Sequence, residues 1–253
     1  MKKILSDMYL LGRKCLFCDK YGLYKLRDKR LKCKNCNKKY SIKKLKRDLE
    51  ILYYFYLEIS ARRTANELDL NYKTIQSRFM NFRKSINRYS NQKIKKLNGE
   101  LELDETYFGG SRKGNRGRGA FNKAIAFGIL ERNGKVHTII VENVRANTLM
   151  EAIKNKTKKG SVFYTDGWKS YASLEQYGKH NVIRHDKDEF ANQRNHINGI
   201  EGFWSFAKER FYKYHGINKK NYSFYLKEME FRFNHRKESI FNLLFDICVR
   251  RQV

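Results

Sequence analysis

The amino-acid sequence predicts an α/β fold with a central mixed sheet and flanking helices, preceded by two smaller modules. Three observations support this prediction. Two Cys-x-x-Cys pairs lie within residues 1–42, residues 46–90 have a helical pattern, and from about residue 100 short apolar strands alternate with glycine-rich turns before further helices. We therefore expect domains at 1–42, 43–95 and 96–253, with three antiparallel strands at the start of the last one, between about residues 101 and 143.

The charge balance predicts a polyanionic partner. The chain of 253 residues carries 55 Lys and Arg against 26 Asp and Glu, a net charge of +29, and residues 1–100 hold 27 of the basic residues and 9 of the acidic ones. No apolar run reaches the roughly 18 residues that a membrane span needs, so we expect neither a spanning nor a secreted protein. An AT-rich genome could account for part of the lysine content, but not for the motifs below.

Four of the five cysteines predict a structural zinc site. Cys15 and Cys18 form one pair, Cys33 and Cys36 form another, and fourteen residues separate the pairs. Two such turns can place four thiolates tetrahedrally around one zinc ion, giving a zinc ribbon that is too small to fold without its metal. The alternative, a redox-active pair, would need a thioredoxin-like βαβ setting that the sequence lacks. Cys248 is expected to be a buried thiol.

Residues 43–95 predict a helix-turn-helix module that binds DNA. Ile75, Phe79 and Phe82 recur at helical spacing and should face a core, and Asn71 can cap the helix that contains them. The remaining side chains near the start of this helix are candidates for DNA contacts: Tyr72, Lys73, Thr74, Gln76 and Arg78. The alternative is an ordinary three-helix packing unit.

Three acidic segments after residue 100 predict a metal-dependent catalytic site. Asp104 lies on an alternating strand, Asp166 ends an apolar strand, and Glu201 lies two helical turns before Lys208. Carboxylates at strand ends can jointly hold two Mg²⁺ ions, and Lys208 could contact a DNA phosphate. Glu105 should point to the opposite strand face and be structural.

Five motifs in order resemble the ISXO-type insertion-sequence transposases, which are similar to the Merlin DNA transposons. They are Leu103-Asp-Glu-Thr-Tyr-Phe-Gly-Gly110, Arg116-Gly-Arg-Gly119, Phe127-Gly-Ile-Leu-Glu-Arg132, Tyr164-Thr-Asp-Gly-Trp168 and Asn198-Gly-Ile-Glu-Gly-Phe-Trp-Ser205. The resemblance implies an RNase H-like fold, a DDE-type catalytic triad and movement through terminal inverted repeats.

By position, the resemblance implies Asp104, Asp166 and Glu201 as the triad, with Lys208 as the basic residue that follows it. Some family members have Asn as the third catalytic residue, and Asn198 lies three residues before Glu201. We favour Glu201 because it offers a charged oxygen ligand and has the spacing to Lys208.

The sequence also predicts the cofactors and partners of such an enzyme. We expect structural Zn²⁺, catalytic Mg²⁺ or Mn²⁺, and double-stranded DNA of the transposon ends and the target, with Arg112, Arg116 and Arg118 as phosphate contacts in a glycine-rich loop. Bringing two ends together requires at least a dimer. The expected location is the cytoplasm with the nucleoid in a bacterium, or the nucleus in a eukaryote.

Three alternatives stay open at this point. A DNA-binding regulator without catalysis would not need the three acids to meet in space. Another RNase H-like nuclease, such as a resolvase, would share the acids but not necessarily the two front modules. A decayed element copy would fold but no longer move.

Overall fold

A computed structural model describes residues 14–93, 96–109, 123–167, 169–183, 196–214 and 216–250. The chain divides into two compact units, the first comprising Met1–Tyr89 with Lys237–Val253 and the second Ser90–Arg236. The sequence-based boundaries placed residues 237–253 in the C-terminal domain, whereas these residues belong to the first unit here. No described helix is both long enough and apolar enough to cross a membrane.

The first unit begins with a small antiparallel sheet. Its strands are β1 (Leu23–Lys25), β2 (Leu31–Cys33) and β3 (Lys39–Tyr40), in the order β1-β2-β3. Each cysteine pair is followed directly by a residue with positive φ, Asp19 after Cys18 and Asn37 after Cys36. Asp and Asn tolerate the left-handed conformation better than most residues, so each pair can end in a tight turn.

Three helices follow, α1 (Ile42–Tyr56), α2 (Ala61–Glu67) and α3 (Tyr72–Lys93). The side chain of Asn71 accepts a hydrogen bond from the Lys73 backbone N–H at 2.8 Å, which confirms the predicted cap. Ile75, Phe79 and Phe82 are buried, as their spacing predicts. The rings of Phe79 and Phe82 lie 5.2 Å and 5.4 Å from that of Phe55, so α1 and α3 share an aromatic core.

The second unit contains a five-stranded mixed sheet. Its strands are β4 (Glu100–Phe108), β5 (Ala124–Glu131), β6 (Val136–Val141), β7 (Val162–Asp166) and β8 (Lys179–Ile183), and they lie in the order β6-β5-β4-β7-β8. β4, β5 and β6 pair antiparallel, and β7 and β8 run parallel to β4. Three antiparallel strands joined to two parallel ones form the RNase H-like arrangement, so the predicted fold class is confirmed.

Helices cover both faces of this sheet. α4 (Ala146–Lys156) connects β6 to β7 and packs on one face with the 3₁₀ segment Lys169–Gln176. α5 (Asn198–Lys213) and α6 (Tyr222–Asn234) pack on the other face. β5 is therefore buried on both sides, which accounts for its continuous apolar character.

The C-terminal segment packs on the helices of the first unit. It consists of α7 (Ile240–Phe245) and a π-helical turn at Asp246–Arg250. The Phe241 ring lies 6.1 Å from that of Tyr53 and 5.5 Å from that of Tyr56, both on α1. Cys248 is buried, as predicted, and its thiol donates to the Phe82 carbonyl at 3.8 Å. These contacts explain why residues 237–253 belong to the first unit.

Candidate active site

Asp104 and Asp166 lie on neighbouring parallel strands in the same register. β4 pairs with β7 through Glu100 opposite Val162 and Glu102 opposite Tyr164. Two residues further along each strand, this register leads to Asp104 on β4 and Asp166 on β7. Side chains two residues apart share a sheet face, and paired strands are about 4.8 Å apart. The pairing therefore directs both carboxylates to one side of the sheet.

The third acid comes from α5. Glu201, Ser205 and Lys208 recur at the spacing of one helix face, and all three are exposed. They line the same cleft as the two aspartates, an opening with a volume of about 760 Å³. Asn198, at the first turn of the helix, is exposed but is not among the described residues that line this cleft. The full lining is Asp104, Glu105, Thr106, Tyr107, Lys123, Asp166, Ile197, Glu201, Trp204, Ser205 and Lys208.

A glycine in β5 allows α5 to approach the sheet beside Asp104. Gly128 lies directly opposite Asp104 in the β4–β5 ladder. A Cβ atom at this position would lie 2.6 Å from Trp204 Cζ2 and 2.9 Å from Ile200 Cδ1, well inside van der Waals contact. The absence of a side chain at residue 128 therefore determines how close the helix that contains Glu201 lies to the strand that contains Asp104.

The cleft concentrates negative charge at Asp104. Burial raises the pKa of Asp104 to about 7, and the nearby carboxylates of Glu105, Asp166 and Glu201 act in the same direction. Glu105 points to the other sheet face, as predicted, where its carboxylate accepts a hydrogen bond from the Tyr171 hydroxyl at 2.8 Å. A cation in the cleft would offset this repulsion, and carboxylate oxygens are the ligands that Mg²⁺ and Mn²⁺ prefer.

The three acids surround the cleft instead of forming one compact ligand set. Within the described ranges, the cysteines are the one group of three or more possible metal ligands whose ligand atoms all lie within 4.8 Å of one another. A pair of metal ions about 3.5–4 Å apart needs ligands that are spread over a larger space than the ligands of a single ion. The donor chemistry of Asp104, Asp166 and Glu201 fits such a pair.

The four predicted cysteines form a compact cluster in the first unit. The sulfur atoms of Cys15 and Cys36 lie 3.5 Å apart, and those of Cys18 and Cys33 lie 3.6 Å apart. A tetrahedral zinc ion with Zn–S bonds of about 2.3 Å implies sulfurs about 3.8 Å apart, whereas a disulfide requires about 2.05 Å. Backbone N–H groups two residues on also donate to Cys15 and Cys33. The cluster could therefore hold zinc.

The predicted DNA-binding residues on α3 differ in their exposure to solvent. Tyr72, Lys73, Thr74 and Gln76 are exposed on the first turns of the helix. Arg78 is half-buried, and its guanidinium lies 3.1 Å from the carboxylate of Asp48 on α1. The charge of Arg78 is therefore partly neutralised by an ion pair within the unit. Arg112, Arg116 and Arg118 lie outside the described residues.

The sequence interpretation missed a buried glutamate and its partly buried arginine partner beside the cleft. Glu102 lies two residues before Asp104 on the same strand face and is 1% exposed. Arg132, directly after β5, donates from Nε to Glu102 Oε1 at 3.0 Å. The alternation in Glu100-Leu-Glu-Leu-Asp104 places Glu102 on the face of Asp104, but it does not indicate the partner. Lys123 and Trp204 also line the cleft and were not predicted to do so.

Comparison with known proteins identifies a matching family and two related proteins. The sequence model of the ISXO2-like transposase domain matches residues 96–234. The chain is 44% identical over 101 residues to an uncharacterized transposase-like protein of Haemophilus influenzae, covering 40% of this chain and 81% of that protein. It is 24% identical over 243 residues to an uncharacterized protein in transposable element ISH50 of Halobacterium salinarum, covering 84% of this chain and 81% of that protein.

Among solved structures, the chain is similar to the catalytic core domain of BIV integrase. The sequence identity is 12%, the TM-score is 0.36, and the match covers 55% of this chain and 85% of the integrase domain. It is also similar to the catalytic domain of Mos1 mariner transposase, with 14% identity, a TM-score of 0.29, and coverage of 69% and 95%.

Proposed function

The chain belongs to the family of ISXO2-like transposase domains, and from this premise we propose that it is a DNA transposase that cleaves transposon ends and joins them to target DNA. The observation that carries the proposal is the meeting of Asp104, Asp166 and Glu201 in one cleft. These residues are far apart in sequence and come from two strands and a helix. A cluster of acids is unfavourable unless a cation is bound there, so its presence argues for metal-dependent chemistry.

In this proposal Asp104, Asp166 and Glu201 would hold two Mg²⁺ or Mn²⁺ ions, and these ions would supply the activation of the attacking oxygen and the stabilisation of the leaving oxygen. Lys208 and Lys123, which line the cleft, contact the phosphates of the DNA strand and hold it across the acids. The first reaction breaks a phosphodiester bond at the transposon end with water and frees a 3′-hydroxyl. That hydroxyl then attacks a target phosphate and displaces the target strand's 3′ oxygen. Neither step needs a covalent protein intermediate.

The first unit supplies DNA binding in the same proposal. The cysteine cluster holds Zn²⁺ and so stabilises the ribbon. The exposed residues at the start of α3, Tyr72, Lys73, Thr74 and Gln76, contact the terminal inverted repeats. Arg78 contributes less because of its contact with Asp48. A synaptic complex of two ends contains at least two copies of the chain.

Three alternative functions account less well for the acidic cleft or need a separate assay. A regulator that only binds DNA gains nothing from acids that repel one another. A resolvase-type nuclease would use the acids, but it would cut DNA junctions rather than the ends of the element. A decayed copy would have intact geometry without activity, so only an assay of the protein itself separates it from an active enzyme.

The test is cleavage of a labelled duplex that carries the terminal inverted repeat flanking the coding sequence, with Mg²⁺ or Mn²⁺. We compare the wild type with Asp104→Asn, Asp166→Asn, Glu201→Gln and Asn198→Ala. The matched control is Glu209→Gln, which removes an exposed glutamate on the same helix, paired with Lys213 and outside the cleft lining. We expect metal-dependent nicking at the repeat end that the first three substitutions abolish and the last two retain.

Each other outcome has a distinct meaning. Loss of nicking in Asn198→Ala with activity kept in Glu201→Gln would move the third ligand to Asn198. Cleavage of branched junctions without cleavage of the repeat end would identify a resolvase-type nuclease. Tight binding of the repeat without any nicking would overturn the catalytic proposal in favour of a regulator or a decayed copy.

A further inference from the structure

The structure assigns Arg132 and Glu102 as a positioning pair that fixes the three acids of the cleft relative to one another. This inference rests on the proposed function, because it concerns the same site. Neither residue lines the cleft, so neither is a catalytic residue. Both lie beside it, and their contacts reach all three elements that contain the acids.

Glu102 connects the β4 strand to the first turn of α5. Its carboxylate is buried and accepts a hydrogen bond from the Ile200 backbone N–H at 2.9 Å through Oε2. Ile200 immediately precedes Glu201, and Glu102 lies two residues before Asp104. A carboxylate at a helix N-terminus satisfies a backbone donor that has no partner within the helix and interacts favourably with the helix dipole. Glu102 therefore joins the backbone around Asp104 to the backbone around Glu201.

Gly199 is necessary for this contact. A Cβ atom at residue 199 would lie 2.8 Å from Glu102 Oε2 and 3.0 Å from Leu130 Cδ2. The helix turn thus approaches the buried carboxylate at a position where no side chain intervenes. This close approach supports a specific contact between strand and helix.

Arg132 connects the remaining elements. Its Nε donates to Glu102 Oε1 at 3.0 Å, and its Nη2 donates to the His196 carbonyl at 2.6 Å, just before α5. Its guanidinium lies 3.7 Å from the centroid of the Tyr164 ring on β7. Tyr164 lies two residues before Asp166, in the same relation as Glu102 to Asp104. One arginine therefore contacts β4, β7 and the start of α5 together.

The chemistry of Arg132 suits this role. A guanidinium donates in several fixed directions and stacks on an aromatic ring, whereas an ammonium group is a single compact charge. Lysine at this position would keep the positive charge but could not make the two hydrogen bonds and the stacking contact together. Because the acids must be held within a fraction of an ångström of their working geometry, losing these contacts should affect catalysis more than folding.

The test compares Arg132→Lys with Arg232→Lys. The control residue belongs to another buried Arg–Glu pair of the same unit, with Arg232 Nη2 2.9 Å from Glu228 Oε1, and it lies on α6 away from the cleft lining. Each variant is assayed in five ways. These are the rate and KM of repeat-end cleavage, the Mg²⁺ concentration for half-maximal rate, Mn²⁺ binding followed by electron paramagnetic resonance, amide hydrogen exchange in the first turn of α5, and the melting temperature.

We expect Arg132→Lys to lower the maximal cleavage rate at least tenfold, with an unchanged KM for DNA. The Mg²⁺ requirement should rise severalfold, Mn²⁺ binding should weaken, and the amides of Ile200 and Glu201 should exchange faster. Both variants should have a lower melting temperature than the wild type, but Arg232→Lys should change none of the other four quantities. If Arg132→Lys does not fold, Glu102→Gln replaces it; this variant keeps an acceptor for Ile200 N–H and should retain more activity than Glu102→Ala.

Two results would overturn the inference. One is an Arg132→Lys protein that loses thermal stability as Arg232→Lys does but keeps the wild-type cleavage rate and Mg²⁺ requirement. The other concerns a wild type that does not cleave, a result that by itself would count only against the proposed function. In that case, equal Mn²⁺ binding and equal amide exchange at the start of α5 in wild type and variant would show that Arg132 does not position the acids.

Discussion

At the scale of single residues, Gly128 is the position where one added carbon atom should change the site. The nearest atoms to a Cβ at this position belong to Trp204 and Ile200, the residues by which α5 rests on the sheet. We expect Gly128→Ala to displace α5, to lower stability by about 1–3 kcal/mol, and to reduce repeat-end cleavage more than DNA binding.

Gly202→Ala is the matched control for this substitution. Gly202 lies on α5 itself, and nothing stands within 4 Å of its would-be Cβ. Since alanine is the better helix former, this change should stabilise the protein by up to about 1 kcal/mol. The melting temperatures and cleavage rates of the two variants test this difference. Equal melting temperatures and equal rates would contradict the inference that Gly128 is needed for the close approach of α5 to the sheet.

His137 is a residue whose burial predicts a pH dependence of stability. It lies on β6 with its Nδ1 3.4 Å from the Lys227 ammonium, and burial, helped by Lys227, lowers its pKa from 6.5 to about 2. Glu230 Oε1 is also 4.0 Å away, but this carboxylate pairs with Lys227 at 2.6 Å, so His137 stays neutral. The unfolded chain takes up a proton below about pH 6.5 that the folded chain does not.

The contribution of His137 to the free energy of unfolding of the second unit should therefore fall as the pH drops below about 6.5, by up to about 1.4 kcal/mol per pH unit. Asp104, whose pKa is raised to about 7, contributes in the opposite direction, so the comparison is made between the wild type and a His137 variant. Both tryptophans of the chain lie within Ser90–Arg236, so their fluorescence reports this unit. In urea unfolding at pH 7 and pH 5, His137→Asn should show a smaller loss of stability than the wild type. Equal losses in both proteins would show that His137 does not control this dependence.

At the scale of elements, the ribbon β1–β3 should depend on its metal. Cys15 and Cys33 are fully buried, and the three strands together contain few apolar residues, so the free energy of metal binding must supply the stability. We expect Cys33→Ser to lose zinc, measured by atomic absorption, and to lose hydrogen-exchange protection in β1–β3. Cys248→Ser removes a buried thiol outside the cluster and should keep its zinc. Zinc retained by Cys33→Ser would contradict the four-thiolate site.

The first turns of α3 should determine DNA affinity and its salt dependence. Lys73 is exposed there, and Lys84 is an exposed lysine of the same helix three turns further on. We expect Lys73→Ala to weaken repeat binding and to reduce the slope of log affinity against log salt by about 0.9, the value for one phosphate contact. Lys84→Ala removes the same charge but should change the affinity and the slope less. Titrations at several salt concentrations measure this, and equal slopes for both variants would mean that only net charge matters.

At the scale of the whole molecule, the C-terminal segment completes the first unit. Besides the Phe241 contacts, Arg250 Nη2 lies 3.1 Å from the Asp19 carboxylate beside the cysteine cluster. We expect a chain that ends at residue 236 to show faster amide exchange in α1 and α3 than the full chain, because the rings of Tyr53 and Tyr56 lose the packing of Phe241. Protection in β4–β8 should stay unchanged. A uniform loss of protection across both units would contradict the division of the chain.

What could be predicted from the sequence rests on local spacing. Four cysteines at fixed intervals indicate one metal site, a helical period identifies Ile75, Phe79 and Phe82 as core residues, and alternation identifies the face of Asp104. These patterns can be recognised in the sequence because each depends on residues that are only two to four positions apart in a cysteine turn, a helix turn or a strand. The order of motifs then indicated the RNase H-like sheet and the three acids.

Tertiary structure alone decided which distant residues meet. It brought Glu102 to the Ile200 N–H across 98 residues, placed Gly128 under Trp204, and committed Arg78 to Asp48. It also placed Glu201 rather than Asn198 in the cleft lining. Residues 237–253 belong to the first unit for the same reason, because they pack on its helices. Such contacts leave no periodic mark in the sequence, because they depend on how whole helices and strands pack, and packing brings together residues of any separation.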